Sequence, residues 1–129
     1  MADYSYARVV DGDVDSVVER VTEALKTEGF GVLTTIDVRE TLKKKLDVDF
    51  RPYRILGACN PGFAHKALLA ESRIGTMLPC NVVVQDAGEG RCEVAAVDPI
   101  ASMASIENPA LADIAGEVRE KLRRVVQAL

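Results

Sequence analysis

Apolar residues recur with helical spacing in two long stretches of the chain. In the first, between Asp13 and Gly29, valine or leucine occupies positions 14, 17, 18, 21 and 25, which form one stripe along a helix. Asp13 is placed to cap the start of this helix and Gly29 to end it. The second stretch lies near the end of the chain and has its apolar residues on one helix face: Leu111, Ile114, Ala115, Val118, Leu122, Val125, Val126 and Leu129. Both stretches are predicted to be helices that pack on a core.

Shorter segments rich in β-branched residues predict strands between the helices. They are residues 4–10 (YSYARVV), 30–37 (FGVLTTID), 53–59 (YRILGAC), 81–86 (NVVVQD) and 91–97 (RCEVAAV). The last two are separated by AGEG, which favours an antiparallel hairpin. VRETLKKKL, with Asp37 as its N-cap, and PGFAHKALLAES are predicted to be helices.

The order of these elements, β-α-β-α-β-α-β-β-α, defines the expected fold class. We predict an α+β (mixed α/β) fold, with one mixed or largely antiparallel sheet and helices packed against it. No boundary or repeat divides the sequence, so residues 1–129 are expected to form a single domain. The segment DPIASMASIENP is the longest predicted irregular connection, and it is a candidate lid or interface loop.

Composition and charge narrow the classes of function. The chain has 129 residues, of which 48% are apolar, so it can bury a core without a disulfide or a metal. A formal charge of −4 argues against a nucleic-acid partner, which requires a basic surface. Residues 39–54 depart from this average with six basic and three acidic side chains. This window is either a solvated helix face, which we favour, or an anion-binding patch.

The cellular setting is inferred from what the sequence lacks. No apolar run approaches the roughly 20 residues that a membrane span needs. The opening residues MADYSYARVV have no signal-peptide pattern, and the three cysteines are an odd number. We therefore expect a soluble, cytoplasmic protein with reduced thiols and no membrane partner.

Two motifs, ILGACNP at residues 55–61 and LPCNV at residues 78–82, lie about 20 residues apart. Together with the DP pair and the C-terminal amphipathic helix, they resemble Domain of Unknown Function family 302, from about Gly29 to about Ile114. The resemblance implies a compact α/β domain that is often dimeric. It implies no established activity and no catalytic residues. We therefore expect a homodimer, whose cofactor is unknown and for which the sequence requires none.

Cys59 and Cys80, one in each motif, are the candidate reactive or metal-binding residues. Cys59 is predicted to end a strand just before a helix N-terminus, where the helix dipole stabilises a thiolate. The alternative for each cysteine is a small buried apolar residue. If their strands are neighbours, the two thiols can form a redox pair or bind a soft metal such as Cu(I) or Zn(II). Cys92, in RCEVAAV, is predicted to pack in the core.

The residues that accompany these cysteines have structural explanations. Asn60-Pro61 is predicted to cap and open a helix in the same way as Asn108-Pro109, which has no cysteine beside it. His65 is either a base for Cys59 or, as we favour, an ordinary helix residue. Met77 and Met103 either extend a soft-metal site or fill the core.

Three hypotheses of function follow. We favour a homodimeric module that binds a small ligand or a partner without established catalysis, with Cys59, Asn60, Cys80 and Asn81 at the binding site. The first alternative is a thiol-based redox or soft-metal (Cu/Zn) protein that uses Cys59 and Cys80. The second is a cysteine-dependent enzyme with Cys59 as nucleophile. No complete catalytic set can be assembled, so no catalytic residue is assigned and the balance leans against an enzyme.

Overall fold

One antiparallel sheet forms the middle of the fold. The computed structural model describes residues 3–129. Its strands are Ser5–Asp11 (β1), Gly31–Asp37 (β2), Tyr53–Cys59 (β3), Cys80–Gly88 (β4) and Arg91–Val97 (β5). Their order across the five-stranded sheet is β1-β5-β4-β3-β2, and each neighbouring pair is antiparallel. The predicted fold class is confirmed, in its largely antiparallel form.

The helices follow the predicted order, with two short additions. They are Val14–Thr27 (α1), Val38–Leu46 (α2), Pro61–Ala70 (α3), Pro99–Ser102 (α4) and Pro109–Gln127 (α5), with a 3-10 helix at Ser72–Met77. The sequence pattern did not predict α4 or the 3-10 helix. Neither is long enough to show a helical repeat of apolar residues.

The main core lies on one face of the sheet, between the strands and the two long helices. Alternate side chains of β3, β4 and β5 point into it because successive strand residues face opposite sides. Buried residues of α1 and α5 complete it, as the apolar stripes predict. Its largest fully buried side chains are Leu25, Leu56, Leu122, Val17, Val21, Val82, Val84, Val94, Val125 and Val126. The alternate residues Asn81, Val83 and Gln85 of β4 point to the other face.

Local signals set the ends of several elements as predicted. The Asp13 carboxylate accepts from the Ser16 amide at 2.8 Å and so caps α1, and the Asp37 carboxylate accepts from the Glu40 amide at 3.0 Å and caps α2. The β4–β5 hairpin is tighter than predicted. Only Glu89 and Gly90 form its turn, both with positive φ (56° and 73°), because β4 continues through a bulge to Gly88.

A second, smaller core cluster holds the segment that was predicted to be irregular. Ala67, Ile74 and Leu111 are its buried members, and Met103 packs against them. Asp98 anchors α4, since its carboxylate accepts from the Ile100 amide at 2.9 Å and also pairs with Arg119 at 3.3 Å. The connection between β5 and α5 is therefore not an irregular loop, because it contains α4 and packs against the second core cluster.

The basic window carries its own counter-charges. Lys44 pairs with Glu40 at 2.8 Å and Lys43 with Asp47 at 2.9 Å, both one turn apart on the exposed α2. Arg54 pairs with Asp15. This arrangement agrees with a solvated helix face. Within residues 3–129, no helix is long and apolar enough to cross a membrane.

Candidate functional site

An apolar pocket of about 260 Å³ opens at the end of the sheet where β3 leads into α3. Its walls come from the ends of β3 and β4, from α3, and from one side of α5, with α4 closing one end. The lining residues are Phe30, Leu33, Ala58, Cys59, Asn60, Phe63, Ala64, Ala67, Leu78, Pro79, Cys80, Pro99, Met103, Ile114, Ala115 and Val118. None of these side chains carries a formal charge at neutral pH, so the pocket favours neutral, apolar groups.

The pairing of β3 with β4 brings Cys59 and Cys80 to this pocket. Ala58 lies directly opposite Cys80, so Cys59 is one residue further along the neighbouring strand. The strands that contain the two cysteines are therefore neighbours. A redox pair or a shared soft-metal site, as considered from the sequence, requires this arrangement. Both residues line the pocket.

The two thiols differ in accessibility. Cys80 is only 8% exposed, whereas Cys59 is half-buried. Burial raises the pKa of the Cys80 thiol from its ordinary 9.0 to about 11, and the charge of a Cys59 thiolate adds to the rise. Cys80 is therefore a neutral thiol at physiological pH, and Cys59 is the thiol that a ligand meets first.

Asn60 occupies the N-cap position of α3, but its side chain does not cap that helix. Its Nδ2 instead donates to the main-chain oxygen of Glu28, at the C-terminus of α1, at a distance of 3.3 Å. Asn60-Pro61 begins α3 as predicted, but the prediction that the Asn60 side chain caps this helix as Asn108 caps α5 was wrong. Asn108 does cap its helix, accepting from the Ala110 amide at 3.1 Å. Both side-chain amides donate to a main-chain carbonyl, Asn60 to Glu28 and Asn108 to Ala70, but only Asn108 also accepts from its own helix.

Three other residues considered from the sequence lie away from the pocket. Asn81 pairs with Gly57 across β3–β4 and is exposed on the opposite face of the sheet from Cys80. His65 is exposed on α3 and does not line the pocket, so the structure does not bring it together with Cys59 as a base. Cys92 is fully buried, and its Sγ donates to the Gly12 oxygen at 3.3 Å, in agreement with the predicted core position.

The helical residues that line the pocket were not predicted from the sequence. Phe63, Ala64 and Ala67 of α3 line the pocket, and Met103 reaches it from the end of α4. The signal in the sequence was the alanine spacing in PGFAHKALLA, which places small residues on one helix face. Small residues let the sheet and α3 leave space between them.

The pocket has little capacity for hard metals. Among the residues that the structure describes, no three of the types His, Cys, Asp and Glu are grouped to hold a metal ion. Cys59, Cys80 and Met103 give the pocket three sulfur atoms and no carboxylate. A donor set of that kind suits only a soft ion such as Cu(I).

Comparison with known proteins places the chain in a family. The model for "Domain of unknown function DUF302" matches residues 6–129. The chain belongs to the DUF302 family. The crystal structure of the uncharacterized conserved protein DUF302 from Bacillus stearothermophilus is similar to it, with a TM-score of 0.89 and 33% sequence identity over 98% of each chain. No curated protein matched the chain. The resemblance found in the sequence motifs is therefore confirmed, and DUF302 membership by itself assigns no activity.

Proposed function

We propose that this DUF302 domain is a homodimeric module that binds a small neutral, apolar ligand in the pocket beside Cys59. The observation that carries the proposal is an open cavity of about 260 Å³ whose lining side chains are uncharged. Apolar walls that stay open to water forgo the stabilisation that burying them would give. A binding site accounts for that cost.

The volume indicates the size of the ligand. An apolar protein cavity of about 150 Å³ is sufficient to bind benzene. This pocket is larger and therefore fits a two-ring aromatic or a short branched aliphatic compound. Phe30 and Phe63 supply aromatic faces against which such a compound stacks. Asn60 and Cys59, at the end of β3, offer the polar atoms that orient one polar group of the ligand.

The test compares two probes of nearly the same shape, 2-naphthol and 2-naphthoate. Binding is followed by the shifts of backbone amide resonances in titrations of the labelled protein. We expect 2-naphthol to shift the resonances of Ala64, Ala67 and Ala115. We expect 2-naphthoate to bind at least about tenfold more weakly, because no lining side chain compensates its charge. Equal binding of both probes would contradict a neutral ligand.

A matched pair of variants on α3 locates the binding. Ala64→Leu fills the pocket, so we expect it to abolish the shifts caused by 2-naphthol. His65→Leu places the same side chain one residue further on, at an exposed position outside the pocket, and leaves binding unchanged. Shifts that persist in Ala64→Leu, or a wild-type protein that 2-naphthol does not saturate at millimolar concentration, would refute the proposal.

The homodimer is the second part of the proposal. Both edge strands of the sheet, β1 and β2, have unpaired backbone groups, and large apolar side chains are exposed at several places on the surface. Light scattering after size-exclusion chromatography is expected to give twice the monomer mass of 13.9 kDa. A mass of one chain at all concentrations up to the millimolar range would refute it.

A second candidate function is favoured by the shared position of the two thiols. Cys59 and Cys80, with Met103, supply sulfur donors for Cu(I), or the two cysteines exchange with oxidised glutathione to give one protein disulfide and two glutathione thiols. Competition for Cu(I) against bicinchoninate separates this function from the first. Cys59→Ser and Cys80→Ser should each abolish binding, while Cys92→Ser, at a buried position outside the pocket, keeps it.

A further inference from the structure

The face of the sheet that points away from α1 and α5 carries a continuous row of apolar side chains. The strand registers align one residue from each strand in this row, which we call the apolar row: Ala7, Ala95, Val83, Ile55 and Ile36, in the order β1, β5, β4, β3, β2. None of the five belongs to either core cluster. Ile36 is 48% exposed, and Ala7 is also exposed.

The helix that follows β2 leaves this row at least partly exposed, since Ile55, Val83 and Ala95 are half-buried and none of the five is fully buried. No residue of α2 is buried, which a helix packed across the sheet would require for its apolar side. Leu46, at its end, is 65% exposed. A sheet with helices on one face normally keeps its other face polar when that face meets water. An apolar row across all five strands is thus typical of a face that packs on something.

Side-chain size changes steadily along the row, from alanine at the β1 side to isoleucine at the β2 side. A two-fold axis that lies between two facing sheets and runs along β4 reverses this order in the second copy. Val83 then faces Val83, Ala95 faces Ile55, and Ala7 faces Ile36. Each large side chain meets a small one, which is the condition for close packing. A two-fold axis across the strands would place isoleucine on isoleucine and leave a gap between the alanines.

We infer that the apolar row is the interface with a second copy of this chain, related by a two-fold axis along β4. This inference rests on the homodimer proposed above and specifies its surface. The row below it agrees in charge. Gln85 lies on the axis, and Glu93 of one copy faces Tyr53 of the other. The Arg51 guanidinium lies 5.7 Å from the centroid of that Tyr53 ring, so it is close to the facing Glu93 carboxylate. On the other side of the row, the exposed Asn81 faces Asn81 of the second copy. The two side-chain amides can donate hydrogen bonds to each other and accept them.

The area is adequate for a modest dimer. Five strands about 4.8 Å apart and seven residues long, at about 3.4 Å per residue, cover roughly 550 Å² on each copy. The total of about 1,100 Å² lies just above the 1,000 Å² or so that separates specific interfaces from incidental ones.

The first experiment is sedimentation velocity of the full chain over a range of concentrations. Val83→Lys places two ammonium groups against each other on the axis, so we expect the dissociation constant to rise about 30-fold or more. Leu69→Lys is the control, because Leu69 is an exposed apolar residue of α3 and lies outside the row. A monomeric wild-type protein would refute the homodimer itself. A dimeric wild type with an equally dimeric Val83→Lys would refute only this interface, and would indicate pairing through the edge strands.

An exchange of side-chain sizes between positions 95 and 55 distinguishes loss of the interface from failure of a variant to fold. Ala95→Ile is expected to weaken the dimer because two isoleucines then meet. The double variant Ala95→Ile with Ile55→Ala restores the pairing of large with small and should recover the wild-type dissociation constant. Within one chain, Val83 separates positions 95 and 55, so recovery reports contact between copies. If the double variant dissociates as readily as the single one, while its circular dichroism shows a native fold, the interface is wrong.

Discussion

The side-chain amide of Asn60 donates to the main-chain oxygen of Glu28, 3.3 Å away and 32 positions earlier in the chain. One hydrogen bond therefore joins the C-terminus of α1 to the start of α3. It fixes the residue that follows Cys59 and so holds one side of the pocket mouth. Gly29 keeps this approach open, because a Cβ at that position would lie 3.0 Å from Asn60 Nδ2. The hydrogen bond between Asn60 and Glu28 thus depends on the absence of a side chain at Gly29.

The two Asn-Pro pairs are expected to respond differently to the same substitution. Asn108→Ala removes a helix cap and a second bond, from Asn108 Nδ2 to the Ala70 oxygen, so it should cost about 1–2 kcal/mol of unfolding free energy. Asn60→Ala removes only the bond to Glu28 and should cost about 0.5–1.5 kcal/mol. Hydrogen exchange decides the mechanism. Asn108→Ala should accelerate exchange of the Ala110 amide, whereas Asn60→Ala should leave the first turn of α3 unchanged. Acceleration in α3 would show that Asn60 is a cap after all.

Gly57 is expected to tolerate no side chain. It is buried on β3, and a Cβ there would lie 2.8 Å from Pro79 Cγ and still closer to Thr34 Oγ1. Gly57→Ala should therefore cost about 1–3 kcal/mol and displace Pro79, which lines the pocket. Gly31→Ala is the matched control, since a Cβ at this strand glycine meets nothing within 4 Å. Urea unfolding of both variants checks the prediction, and equal stability of the two would contradict the packing described.

The fold was largely predictable because its signals are local. The apolar stripes of α1 and α5 and the alternation in β5 each lie within one segment, and burial on one face is what sets those periods. The strand order was not predictable in the same way, because pairing β1 with β5 joins residues far apart in the chain. Asn60 illustrates the limit: an Asn-Pro dipeptide predicts a capping side chain, but the Asn60 side chain donates to a carbonyl of α1 and makes no capping bond.

The candidate site was predicted in part. Cys59, Asn60 and Cys80 were identified from the sequence and line the pocket. Asn81 was grouped with them because it follows Cys80, but strand alternation turns it to the opposite face. Met103 was considered only as core filling or as a metal ligand. Its place in the pocket follows from the anchoring of α4 by Asp98 and Arg119, and this contact between β5 and α5 has no signature in a single sequence.

Cys80 is expected to make stability fall at alkaline pH. Burial raises the pKa of its thiol in the folded protein to about 11, above the ordinary 9.0 of an unfolded chain. Between these values the unfolded chain releases the proton while the folded protein keeps it, so raising the pH favours unfolding. Stability is fully retained below about pH 9, and roughly 2–3 kcal/mol is lost by pH 11.

Urea unfolding of wild type and Cys80→Ala at pH 8 and pH 10.5 measures this effect. The variant should be less stable at pH 8 because it leaves a small cavity, but its stability should fall less between the two values. Cys92→Ala is the control for the other buried thiol, whose pKa burial also raises. If Cys80→Ala and wild type lose the same free energy between pH 8 and pH 10.5, Cys80 does not titrate as described.

Glu28 is expected to stabilise the fold through a salt-sensitive pair with Arg124. Its Oε1 accepts from Arg124 Nε at 3.1 Å and from Arg124 Nη2 at 2.9 Å, and this pairing holds the pKa of the Glu28 carboxyl below its ordinary 4.5. A lowered carboxyl pKa means that the stabilisation is present above pH 4.5 and is lost as the pH falls through the folded-state value. Glu28→Gln should therefore be less stable than wild type at pH 7, and the difference should shrink in 1 M NaCl and as the pH falls below 4.5.

Two comparisons separate this pair from general surface charge. Arg124→Gln should have a smaller effect on stability in the Glu28→Gln background than in wild type, because the carboxylate partner is already absent. Glu23→Gln, which removes a 74% exposed carboxylate one turn from Lys26, should change stability little at any pH. The Glu28 main chain also holds Asn60, so weakening the pair should broaden the amide resonances around Cys59. A Glu28→Gln variant whose pocket resonances and pH dependence match those of wild type would show that the α1 terminus is fixed by its backbone alone.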